Sequence, residues 1–176
     1  KYIGRQFNSL TVGIIGYGRL GKMYANYCNA MGANIIVYDP FKKKINKNFL
    51  LTKNINNLFK KANIISIHIH LSQKNYNVIN SKNLKLMKKD VLIVNTSRGE
   101  IINEKNMIAF LRKNSNAKLS TDVIANEILG RNSNPLIKYA KKSNQVIITP
   151  HIGGMTVEAQ QTAYKGVAKL LKNFLK

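Results

Sequence analysis

The stretch TVGIIGYGRLG, Thr11–Gly21, runs from β-branched apolar residues into a spaced set of glycines, Gly16-Tyr17-Gly18-Arg19-Leu20-Gly21. The bare pattern G-x-G-x-x-G is weak; its weight comes from following a strand and opening a helix. Thr11–Ile15 reads as a buried strand, and the residues after the glycines predict a helix over Arg19–Met31, ended by Gly32. Gly16 then permits the tight turn, Gly18 lets backbone approach a pyrophosphate, and Gly21 lets the helix pack closely on the strand. Phosphate oxygens suit the free N–H groups at such a helix start, so Gly16, Gly18, Arg19, Leu20 and Gly21 form the expected cradle. A second β-rich run, Asn34–Tyr38, stops at Asp39-Pro40. Asp39 lies eighteen residues past Gly21, where a carboxylate can accept hydrogen bonds from a ribose and repel a 2′-phosphate. The expected ligand is therefore NAD rather than NADP. Lys42-Lys43-Lys44, just beyond, reads as a solvated turn.

Outward from this unit, strand and helix patterns keep alternating. Strands are predicted at Ile64–Ile69, Val91–Asn95, Lys118–Val123 and Val146–Thr149, making six with the first two. Helices are predicted at Thr52–Lys61 (Thr52 capping, with Ile55, Leu58 and Phe59 on one face), Ser81–Lys88, Asn103–Arg112 and Pro135–Lys142. A last amphipathic helix starts near Thr156, and its stripe of Ala163, Val167, Leu170, Leu171 and Phe174 reads as core packing. Short strands that are apolar on both faces and alternate with helices imply an α/β fold. The expected architecture is a doubly wound, Rossmann-type parallel sheet with helices on both faces, a single domain spanning 1–176.

Composition narrows the class. The 176 residues carry 29 Lys and Arg against 7 Asp and Glu, a net charge of +22. Charge of this size can mark a nucleic-acid or anionic-membrane binder. Here Lys and Asn occur 24 times each, as AT-rich codon usage would give, and the lysines are scattered without an aromatic–basic platform. A nucleic-acid partner and a membrane partner are both unexpected. No apolar run is long enough to span a bilayer, and the start of the chain has no apolar signal segment. The one cysteine, Cys28, reads as a small buried side chain and suits a reducing cytoplasm.

Three further motifs occur in order: NTSRGEIINE from Asn95, STDVIANE from Ser120 and TPHIGG from Thr149. Together with the glycine turn they resemble the NAD-binding domain of the D-isomer-specific 2-hydroxyacid dehydrogenases, over nearly the whole chain. The phosphoglycerate and glycerate dehydrogenase branch is the nearest in general look. The resemblance implies a hydride-transferring oxidoreductase acting on a 2-hydroxy or 2-oxo acid, active as a homodimer. It implies that Arg98 grips the substrate carboxylate, a task suited to a planar guanidinium. It places Asp122 at the nicotinamide carboxamide, with Thr96 and Gly153 also beside the cofactor. It pairs Glu127 with a catalytic His151, whose imidazolium would protonate the developing alkoxide. A neighbouring carboxylate would favour that charged form and raise the histidine's pKa.

Two positions depart from the family pattern. His68-Ile69-His70-Leu71 has isoleucine where His-x-Pro-Leu is usual, and Ile128 replaces the proline that commonly follows the glutamate. His68 and His70 read as ordinary strand-end histidines, with no metal site expected. The family's second, substrate-binding domain is absent from this sequence, which also lacks an initiating methionine; a piece of a longer enzyme is expected. Three readings stand at this point: the cofactor domain of a dehydrogenase, a non-catalytic NAD-binding module on the same fold, and a basic nucleic-acid-binding domain.

Overall fold

A computed structural model describes residues 4–175. Seven strands form one sheet: β1 (Thr11–Ile15), β2 (Asn34–Tyr38), β3 (Leu50–Thr52), β4 (Ile64–Ile67), β5 (Leu92–Asn95), β6 (Lys118–Thr121) and β7 (Val146–Ile148). Their spatial order is β3-β2-β1-β4-β5-β6-β7 and every pairing is parallel. The winding reverses between β1 and β4, and a crevice for ligands opens at such a switch point, beyond the carboxyl ends of the strands.

The register brings those ends level. Ile15 pairs with Ile67, Ile67 with Asn95, Asn95 with Thr121 and Thr121 with Ile148. Gly16, His68, Thr96 and Asp122 each immediately follow one of these residues, so segments far apart in sequence meet at one edge.

Helices α1 (Arg19–Ala30), α2 (Ile55–Lys61), α3 (Ser81–Leu84), α4 (Glu104–Lys113), α5 (Glu127–Gly130), α6 (Pro135–Ala140) and α7 (Val157–Phe174) connect or follow the strands. The period-2 alternation of the strands divides the core in two. On one face Ile15, Ile36, Ile65, Ile67 and Ile93 pack with Leu58 and Phe59 of α2, Met107 and Leu111 of α4 and Leu136 of α6. On the other, Val12, Ile14, Ile35 and Val37 pack with Ala25 and Cys28 of α1. Cys28 is buried and unbonded, as expected.

The structure corrects three expectations. A short edge strand, β3, lies where the helix was expected to begin; Thr52 ends that strand, and Asn54 caps α2 by accepting from the Asn56 amide. The sheet therefore has seven strands, not six. The stripe on α7 is not core: Val167, Leu170, Leu171 and Phe174 are 56–86 % exposed, and every described residue from His151 onward is exposed. An amphipathic period gives the apolar face of a helix but not the surface that covers it. Among the described residues no helix is long and apolar enough to cross a membrane.

The turn from β1 into α1 depends on close backbone contact. A Cβ on Gly21 would stand 2.0 Å from the Gly16 carbonyl oxygen, whereas one on Gly18 would meet nothing within 4 Å. Gly21→Ala should destabilise the protein by about 1–3 kcal/mol or more, since backbone cannot yield as a side chain tip can. Gly18→Ala should cost about 1 kcal/mol at this N-cap position. Thermal and urea unfolding of both variants checks this; equal losses would refute the close-contact account.

Candidate active site

The cofactor end is built on the glycine turn. Gly16 has φ +91°, and a Cβ there would lie 2.5 Å from the His68 carbonyl oxygen, so only glycine fits. Gly18 is the N-cap of α1 and no side chain caps the helix, which leaves its first-turn amides to a ligand. With open space at Gly18, this start accommodates an anionic diphosphate. Asp39 follows β2, and its carboxylate already accepts from the Tyr17 amide at 2.8 Å and the Phe41 amide at 2.9 Å. It thus ties the glycine turn to the end of β2 and keeps further lone pairs free to accept hydrogen bonds. Lys42, Lys43 and Lys44 are exposed, in keeping with a solvated turn. Leu20 and Thr96 line a cleft of ≈ 330 Å³ together with His68, Leu71 and Arg98.

His68 and His70 divide by burial. His68 Nε2 shares a 2.9 Å hydrogen bond with the Ser66 hydroxyl, and burial pushes its pKa down to about 4, so its ring is neutral near pH 7. His70 is exposed. Among the described residues no group of three or more His, Cys, Asp or Glu could hold a metal ion.

Arg98, Glu127 and His151 come together around a second cleft of ≈ 710 Å³. His151 Nδ1 stands 3.1 and 3.2 Å from the two carboxylate oxygens of Glu127. That engagement uses Nδ1 and leaves Nε2 as the nitrogen available to a ligand. The Arg98 guanidinium donates to the neighbouring Ser97 carbonyl at 2.6 Å. Arg131 lines the same cleft and was not singled out in the sequence; scarcity was the available signal, since the chain has only five arginines.

His151 adopts a left-handed backbone, φ +57°, unusual for a residue with a Cβ and costly by about 1–2 kcal/mol. Asp122 holds it there. Its carboxylate accepts from the Thr149 hydroxyl, from the Ile152 amide at 3.0 Å and from the Gly153 amide at 2.8 Å, gripping the chain on both sides of His151. A Cβ on Gly153 would come to 3.1 Å from Asp122 Oδ2, so glycine keeps this grip tight. Burial alone would raise the Asp122 pKa; the hydrogen bonds from Thr149, Ile152 and Gly153, with His151 adjacent, outweigh it and hold the carboxyl below its ordinary value. Asp122 thus anchors the histidine loop through both oxygens.

A carboxyl whose pKa is depressed on folding stabilises the protein above its unfolded pKa, near 3.8, and loses that contribution as pH falls through the lower folded value. Asp122→Asn removes the titration and one acceptor. It should cost about 1–3 kcal/mol at pH 7, and the gap from the parent protein should close as pH drops below 4. Urea unfolding at several pH values reads this; a gap that stays constant would detach Asp122 from the loop.

Comparison with known proteins agrees with this geometry. Residues 1–153 match the family described as D-isomer specific 2-hydroxyacid dehydrogenase, NAD binding domain. The D-3-phosphoglycerate dehydrogenase of Methanocaldococcus jannaschii is 35% identical over 179 residues, 100% of this chain and 33% of that protein. The glyoxylate reductase of Thermococcus litoralis is 30% identical over 177 residues, 99% of this chain and 52% of that protein. The solved structure of a D-2-hydroxyisocaproate dehydrogenase superposes with TM-score 0.92 at 26% identity, covering 99% of this chain and 56% of that one. The chain thus spans a third to just over half the length of these proteins. With the glycine turn, the sheet order and the family match in agreement, the chain belongs to the D-isomer-specific 2-hydroxyacid dehydrogenases, as their NAD-binding domain.

Proposed function

We propose that this chain is the cofactor-carrying part of an enzyme that moves a hydride between NAD(H) and a 2-hydroxy or 2-oxo acid. The observation that carries the reading is the His151–Glu127 pair at 3.1 Å, sharing a cleft with Arg98 at the sheet edge that also holds the glycine turn. Bound NADH would supply the hydride that adds to the carbonyl carbon. Arg98 binds the substrate carboxylate and orients the carbonyl. His151 gives the proton from Nε2 to the carbonyl oxygen, and takes it back in the oxidative direction. Glu127 holds the ring through Nδ1 and balances its charge when protonated. One C=O π bond is exchanged for one C–H and one O–H bond, and the imidazole regains its proton from solvent.

The test is a fluorescence titration of the chain with NADH, beside Asp39→Ala and His151→Ala. Asp39→Ala should weaken binding and narrow the preference over NADPH. In a full-length enzyme carrying this domain, His151→Ala should leave NADH affinity nearly unchanged and lower turnover of a 2-oxo acid by about a hundredfold or more. Unaltered turnover in His151→Ala removes the histidine from the mechanism, and absence of NADH binding by the folded chain ends the reading as a whole.

The cleft also bears on the substrate. Among the described residues the carboxylates within reach of a basic side chain are Asp90, beside Arg5, and Glu127, beside His151, so neither Arg98 nor Arg131 is matched by a protein carboxylate. Glu100, on the same cleft, accepts from the Asn126 amide. We infer that the substrate carries a second anionic group, a carboxylate or a phosphate, which Arg131 receives while Arg98 holds the 2-oxo acid end. Arg131→Ala should then raise KM about tenfold or more for oxaloacetate or phosphohydroxypyruvate, the scale of a charge-assisted hydrogen bond, and leave pyruvate unaffected. Equal effects on pyruvate and the doubly charged acids would sink the assignment.

A further inference from the structure

Glu127 sits on a segment with few supports of its own. The residue before it, Asn126, is left-handed at φ +53° and caps α5 without a side-chain hydrogen bond. Helix α5 has four residues, and Ile128 and Leu129 are 94 and 95 % exposed. Neither packing nor helix length fixes Glu127 against His151.

The support comes from the other half of the site. The chain that follows Arg98 touches the chain that precedes Glu127 in three successive places. Gly99 lies so close to Ile124 that a Cβ would be 1.9 Å from the Ile124 carbonyl carbon. Glu100 accepts from the Asn126 amide at 3.1 Å. Glu104, the first residue of α4 and 8 % exposed, accepts from the Ala125 amide at 2.8 Å. The second Glu104 oxygen accepts from Asn134 Nδ2, also at 2.8 Å, and the same Nδ2 donates to the Ala125 carbonyl at 3.2 Å. Asn134 is 4 % exposed, and its Oδ1 caps α6 through the Leu136 and Ile137 amides. Glu104 and Asn134 thus close a bracket around Ala125, with one end on α4 and the other on α6. Arg98 stands just before this seam and Glu127 just after it.

We propose that Glu104, with Asn134, is a positioning residue of the active site: the bracket around Ala125 sets the Glu127 carboxylate against His151 and in register with Arg98. The inference rests on the reading of Glu127 and His151 as a working pair. Glu104 touches neither reactant nor cofactor. It acts through the backbone of 125–126. Burial pushes the Glu104 carboxyl pKa up, and the Ala125 amide and the Asn134 side chain oppose that push. A buried carboxylate so held loses its placement when either partner is removed.

The polarity of the bracket provides the test. Glu104→Gln keeps an acceptor for the Ala125 amide but sets an NH2 group against the NH2 of Asn134. The double variant Glu104→Gln/Asn134→Asp restores a donor–acceptor pair between the two side chains with the net charge unchanged, and the aspartate can still cap α6, while the bond from residue 134 to the Ala125 carbonyl is lost. With only three histidines in the chain, the imidazole 15N signals of His151 can be followed directly in this protein. Glu127→Ala supplies the signal position of the broken pair. Glu104→Gln and Glu104→Ala should move the His151 signals more than halfway to that position, and the double variant should bring them back at least halfway to the parent position. In turnover assays the single variants should lower kcat about tenfold or more, with NADH affinity and the KM of the 2-oxo acid little changed.

His151 signals that stay at the parent position in folded Glu104→Gln would overturn the proposal. So would a double variant that recovers thermal stability without recovering the His151 signals, since that marks a merely structural bracket. The NMR readout needs no turnover, so it separates failure of this proposal from failure of the dehydrogenase reading.

Discussion

The architecture depends on one backbone crossing. Gly21 lies against the Gly16 carbonyl at a distance that leaves no room for a Cβ, and the same holds for Gly16 against the His68 carbonyl. Those two contacts seat α1 over the end of β1 and bring β4 alongside. The crevice at the switch point is therefore set by main chain alone. Asp39 extends the same constraint sideways by accepting the Tyr17 amide. The surface at this crevice presents amides and one carboxylate on rigid elements, an arrangement that needs little reorganisation to bind a ligand.

The chemistry end is constructed differently. Arg98 and His151 sit on loops and Glu127 opens a four-residue helix, and such segments need side chains to fix them. Asp122 grips the histidine loop on both sides of a left-handed residue, and Glu104 with Glu100 grips the glutamate loop before another one. In both cases a carboxylate accepts backbone N–H groups, a bond stronger than a neutral one and more selective for geometry. Backbone strain at His151 and Asn126 is thereby offset locally. One strained residue is His151 itself and the other immediately precedes its partner Glu127, so the imidazole and the carboxylate are each held from behind.

Much of this was legible in the sequence. Gly16, Gly18, Gly21 and Asp39 declare themselves because their roles are local: a turn, a helix start and a strand end. The strands β1 and β2 match their expected limits because their apolar runs stop at glycine and at Asp39-Pro40. β3 did not show, since three edge residues ending in Thr52 carry no periodicity beyond that of the helix that follows. The supports around the site did not show either. Asp122 meets Gly153 across 31 positions, and Glu104 meets Asn134 across 30. An Asp or Glu that serves a distant amide looks, in sequence, like any exposed acid. The α7 stripe failed for the opposite reason: its period is real, but the surface it would face is not among the described residues.

The charge of the chain sharpens the point about acids. With 29 cations and 7 acids, random surface pairing would give carboxylates many lysine neighbours. Among the described residues no lysine forms an ion pair; one arginine does, across 3.8 Å between half-exposed side chains. Asp39, Glu100, Glu104 and Asp122 instead accept backbone amides, and Glu127 holds His151. Exposed ion pairs contribute at most about 1 kcal/mol each, so a surface acid exchanged for lysine or asparagine costs little. An acid that closes a loop on strained backbone cannot be exchanged on those terms, because its amide partners would lose their acceptor. In this chain five of the seven carboxylates stand where a backbone N–H or an imidazole needs them; Asp90 faces only the exposed Arg5, and Glu158 is exposed in the first turn of α7.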